Sequence, residues 1–163
     1  MKSMSSIVFL LIGLAAGAAI LFWVFWEKAP GLMILENESR YGFEETDSLL
    51  TRALADREWK TPFVHDLQQT MRNNGFEVKK VKVFEVCKPA LAHQVLKGDQ
   101  ERVVSSLMPC RIALYERSDG KVFISRMNSG VMARPMKGVV PEVMKQAAME
   151  IEEILKPLLR DKS

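Results

Sequence analysis

Apolar and polar positions follow three different spacings along this chain. From Ile7 to Trp26 there is no alternation: 20 consecutive residues carry no charged side chain. A helix of that length matches the roughly 30 Å hydrocarbon core of a bilayer and satisfies its own backbone hydrogen bonds. Phe22, Trp23, Phe25 and Trp26 crowd its end, where tryptophan favours the headgroup level. Residues 1–28 therefore read as an N-terminal transmembrane anchor, with residues 7–26 in the lipid bilayer. A cleaved signal peptide has a shorter apolar region and small residues at its cleavage site. Ala29-Pro30-Gly31 reads as a breaker, and residues 29–32 as a short linker.

The second spacing is helical. Leu32 to Leu35 reads as a short first strand, and Phe43 to Trp59 as a helix. Phe43, Leu50, Leu54 and Arg57 fall on one face of it, joined by Thr46 and Ala53, and Glu44, Glu45 and Asp47 fill its first turn. Thr61-Pro62 reads as an N-cap followed by a first-turn proline, opening a second helix to Asn74 with Val64, Leu67 and Met71 facing inward. Pro89 starts a short helix ending near Gly98. Pro141 opens the last one, with Met144, Ala147, Ala148, Ile151, Ile154, Leu155 and Leu158 as its core stripe. Pro157 should kink or end it.

The third spacing is two. Between Phe76 and Cys87, Val81, Val83, Glu85 and Cys87 share one side of a strand while Phe84 and Val86 share the other. Apolar residues on both faces suggest a central strand. Arg111 to Arg117 and Lys121 to Met127 flank Asp119-Gly120, a hairpin signal. Residues 33–163 thus read as one α+β domain with a largely antiparallel sheet packed against helices.

Composition narrows the partners. The net charge is only +3 and its signs are mixed, so no basic stripe for nucleic acid is present. The positive-inside rule hardly separates Lys2 from Lys28 and Arg40. A lone N-terminal anchor with a short tail usually translocates the chain beyond it, so the domain is expected on the extracytoplasmic, periplasmic face. Gly13 and Gly17 form a GxxxG pair, read either as a homodimer seam or as ordinary membrane-helix composition. P-loop, dinucleotide, nucleophile-elbow and zincin motifs are absent.

Candidate chemistry rests on Cys87, Cys110 and His65. Glu85 and Cys87 leave the same face of a strand. Cys110 is followed by Arg111, and a neighbouring cation stabilises a thiolate, the reactive form. Free cysteine is also a common buried packing residue. Together with His65, the two thiols would make an open soft-metal site, although their spacings match no short metal motif. A Cys87–Cys110 disulfide is the other pairing, accessible to antiparallel strands and not to parallel neighbours. His65 alone reads as a surface or capping residue, and His93 is a lesser candidate. Met108, Met127, Met132 and Met136 suggest copper far less than core filling. Arg126 reads as a solvated strand-end charge or an anion contact.

The segments Val83-Phe84-Glu85-Val86-Cys87-Lys88-Pro89, Met108-Pro109-Cys110-Arg111 and the Asp119-Gly120 hairpin, in that order, resemble the bacterial domain-of-unknown-function 302 family, over about Leu32 to Leu159. The resemblance implies a compact α+β domain with an antiparallel sheet, often dimeric. It places Glu85, Cys87, Pro89, Pro109, Cys110 and Arg111 on motif positions, with His65-Asp66-Leu67 as a subgroup feature. It implies no settled activity. The function expected is a membrane-anchored, thiol-containing ligand-binding or redox-responsive module. A thiol- or metal-dependent enzyme and a structural partner of a membrane complex are the alternatives.

Overall fold

A computed structural model describes residues 2–160, with side chains from residue 9 onward. The side chain of Lys2 and the last three residues of the expected domain lie outside the described residues. The chain divides into two units, Met1–Met33 and Ile34–Ser163.

The first unit is a single helix, α1 (Lys2–Met33). Residues Phe9–Met33 are long and apolar enough to cross a membrane, a property shared with signal sequences. The expected linker at 29–32 is helical instead, with Pro30 inside the helix. Proline removes one backbone donor there. The carbonyl it frees belongs to Trp26, a residue that is 69% exposed, so nothing packed is disrupted.

The second unit is a five-stranded antiparallel sheet in the order β1-β5-β4-β3-β2. The strands are β1 (Ile34–Glu38), β2 (Lys60–Asp66), β3 (Val81–Cys87), β4 (Cys110–Glu116) and β5 (Val122–Met127). The helices are α2 (Phe43–Asp56), α3 (Leu67–Asn73), α4 (Pro89–Leu96), α5 (Ser129–Met132) and α6 (Val140–Leu155), with a 3-10 segment at Glu101–Leu107. The core lies between one sheet face and α2, α4 and α6. Phe84, Val86, Ile112, Leu114 and Ile124 from the sheet meet Leu50, Leu54, Leu91, Val95, Ile151 and Leu155 from the helices. Burying each of those side chains contributes on the order of 2 kcal/mol.

The expected stripe of α6 packs as read, except that Ala148 is half-buried and Val143 joins it. The helix stops at Leu155, before Pro157. The helix α2 is shorter than read. It ends at Asp56, Glu58 takes a left-handed conformation (φ 62), and Trp59 turns into the core at 3% exposure.

Two further element readings are corrected. The first strand starts at Ile34 rather than Leu32, because α1 runs on to Met33. The larger correction is Lys60–Asp66, which is a strand and not the opening of a helix. Its pairing to β3 outweighs the Thr61-Pro62 helix-start signal. Pro62 sits on the outermost strand, where a missing donor is tolerated, beside a register shift between Lys60 and Phe63. The true N-cap is Asp66, whose carboxylate accepts from the Gln69 N–H at 2.8 Å. Val64 is 47% exposed and α3 buries nothing, so Val64, Leu67 and Met71 do not form a core face.

Candidate functional site

The alternation of β3 sorts its side chains between two environments. Phe84 and Val86 are fully buried under the helices. Val81, Val83, Glu85 and Cys87 leave the opposite face and stay half-buried. Register then builds a row on that open face. Phe63 of β2 and Arg111 of β4 are both paired to Glu85, and His65 is paired to Val83. His65 Nε2 lies 3.0 Å from Glu85 Oε1, while the Arg111 guanidinium stands 3.7 Å from the same oxygen. The second contact is an ion pair beyond hydrogen-bond distance. The Phe63 ring stacks on the His65 ring at 6.4 Å between centroids. The Glu85 side chain is only 15% exposed, against 47% for His65 and 65% for Arg111. A sheltered carboxylate therefore sits under a more exposed imidazole and a more exposed guanidinium, with Cys87 two residues along the same strand.

Cys110 opens β4 on the core side, paired to Val86. It lines two small cavities. One, of about 60 Å³, also touches Arg126, Ser129 and Glu152; the other, of about 30 Å³, touches Trp59, Met108 and Met144. Both thiols are free. They occupy adjacent antiparallel strands, one residue out of register, so their Cα atoms stand roughly 6 Å apart by strand geometry. Alternation along a regular strand pair sends successive side chains to opposite faces, and a disulfide between vectors pointing apart requires backbone movement, yet Cys87 also lines the smaller cavity beside Cys110.

Burial pushes both thiols above their ordinary range, and the nearby Cys87 pushes Cys110 up further. The cation expected to activate Cys110 is on the wrong side of the sheet, because Arg111 goes to Glu85 on the open face. Lys88 is engaged elsewhere, donating to Glu150 at 2.7 Å.

The model of the family "Domain of unknown function DUF302" matches residues 35–159. The chain belongs to the DUF302 family. The crystal structure of an uncharacterized conserved DUF302 protein from Bacillus stearothermophilus superposes with a TM-score of 0.70 at 17% identity, covering 77% of this chain and 98% of that one. At that identity the likeness shows the fold. Among curated proteins no match is found.

Within this DUF302 domain the expected site residues are only partly gathered. Glu85, Cys87, His65 and Arg111 share the open face, and Cys110 lies beneath it. Cys87, Cys110 and His65 do not assemble as a metal set: among the described residues no group of three His, Cys, Asp or Glu side chains is placed to hold a metal ion. His93 is exposed on α4. Met108 and Met136 pack against the core, while Met127 lies on β5 and Met132 on α5.

Arg126 is the clearest departure. It is neither solvated nor poised for an anion. It is 6% exposed, with its guanidinium donating to both Glu152 oxygens (2.8 and 2.5 Å) and to the Asn37 side-chain oxygen at 2.7 Å. Phe63 escaped notice as a site residue because its segment read as helix.

Proposed function

We propose that this DUF302 chain is a membrane-anchored, non-catalytic binding module. Its recognition surface is the open sheet face at Glu85, His65, Arg111 and Cys87. The observation that carries the reading is the asymmetry of the sheet. One face is filled by helices, while the other holds a carboxylate, an imidazole, a guanidinium and a thiol side by side. Arg111, held to Glu85 only at 3.7 Å, has N–H donors for a ligand carboxylate or phosphate. The charge-free run of α1 supports the anchor. The raised thiols argue against a cysteine nucleophile, which must be thiolate to react. A redox-responsive version uses the same residues. Oxidising Cys87 and Cys110 to a disulfide would need the strand ends to move, which would disturb the face.

The test is maleimide labelling of Cys87 in native membranes and in the purified full chain in micelles. A ligand seated on the face slows labelling in membranes and not in micelles, and Arg111→Ala abolishes that protection. Equal labelling in both settings overturns the reading.

A further inference from the structure

This inference rests on the anchored reading above. Met33, the last residue of α1, and Ile34, the first of β1, are consecutive. From Trp26 to Ile34 the helix rises only about 12 Å, about twice the roughly 5–7 Å interfacial layer of one leaflet. Covalent continuity alone therefore limits how far the β1 end of the sheet can stand from the Trp26 end of the span.

That end has a definite composition. Ile34 is paired to Met127. Arg111 lies beside Met127, one step on from the Ile112–Arg126 pair. Glu85 is next, then Phe63. At about 4.8 Å per strand the row crosses the sheet in roughly 19 Å. Ile34 is 57% and Phe63 65% exposed, large apolar side chains at the two flanks of one sheet end. Between and beside them stand the exposed cations Arg111 and Lys60. Glu58, in the turn before β2, is the acid nearest to Lys60 in sequence. The opposite end of the sheet carries the polar Asp119-Gly120 turn.

We propose that this sheet end docks on the bilayer surface. Ile34 and Phe63 enter the boundary between headgroups and acyl chains, and Lys60 and Arg111 contact anionic lipid phosphates. Aromatic and basic side chains are the types that bind there, each basic residue changing affinity about fivefold.

The photoreactive residue p-benzoylphenylalanine, placed in separate full-length chains at Phe63, Lys60 and Asp119, tests this in phosphatidylcholine vesicles with and without phosphatidylglycerol. Expected are lipid adducts at 63 and 60, few at 119, and more adducts when phosphatidylglycerol is present. Arg111→Glu should cut the phosphatidylglycerol-dependent part at least about fivefold. Alkaline extraction is read on the same vesicles. A chain released by it overturns the anchored reading and this one with it. A chain retained with equal adducts at 63 and 119 overturns docking alone. Adducts at 63 that do not respond to phosphatidylglycerol overturn the headgroup contact.

Discussion

Arg126 carries a full charge to the core side of the sheet, and the Glu152 carboxylate with Asn37 makes that tolerable. Removing the acid leaves a guanidinium with no counter-charge. Glu152→Ala should therefore lower unfolding free energy by about 2 kcal/mol, less than for a fully buried pair because Glu152 is itself 42% exposed. Arg126→Met, which removes the charge and keeps the volume, should be close to neutral. Urea denaturation of both variants checks this, and equal losses would contradict it. The thiols differ in the same residue-by-residue way. Cys87 should alkylate several-fold faster than Cys110 near neutral pH, and both slower than free cysteine, because burial favours the protonated thiol in each. Competitive labelling and peptide mass mapping read the order. The strand positions of these residues were legible in the sequence: period two put Glu85 with Cys87 and apart from Phe84 and Val86. What Arg111 and Arg126 touch was not legible, because each meets acids distant in sequence, Glu85 across a strand pair and Glu152 on α6.

Between elements, the information sits at the ends. The helix α2 stops where Glu58 adopts φ 62, with the Glu58 and Trp59 amides donating back to Ala55 and Leu54. A left-handed residue at that place is normally glycine. Glu58→Gly should raise stability by about 1 kcal/mol in thermal unfolding. The hairpin between β4 and β5 obeys the same rule with the favoured residue present. Gly120 has φ 80, its amide donates to Arg117 O, and Arg117 N donates to Lys121 O. The loop is three residues long, a turn closed by a left-handed glycine, rather than the two-residue turn that Asp-Gly first suggests. Helices with broad apolar stripes, α2 and α6, could be read from periodicity alone. The segment at β2 could not. Thr61-Pro62 is a fair helix start locally, and only β3 alongside makes a strand of it, with His65 and Phe63 finding Glu85 across the ladder.

The molecule as a whole ties its layers with ion pairs at their margins. Glu150 on α6 accepts from Lys88 after β3 and from the Trp59 indole after α2. Burial raises its carboxyl, but the hydrogen bonds from Lys88, Gln146 and Trp59 prevail and hold it below the ordinary carboxylate value. A folded-state value below the unfolded one adds stability at neutral pH, which is lost as pH falls through the carboxylate range. Glu150→Gln should cost about 1 kcal/mol at neutral pH and nothing in acid, where the two stability curves converge. The antiparallel architecture was readable from the hairpin and the alternation. The strand order was not, since β1 reaches β5 across most of the domain.

The rim of the sheet has a consequence of its own. Pro62 has no amide to offer on the edge strand β2, and a register shift lies beside it. A bare rim invites another chain to zip along it, the first step of fibril growth. Under the membrane anchoring proposed above, crowding into two dimensions would make that hazard greater than in solution. Replacing this one imino acid with valine should leave the monomer folded and turn it into a seed.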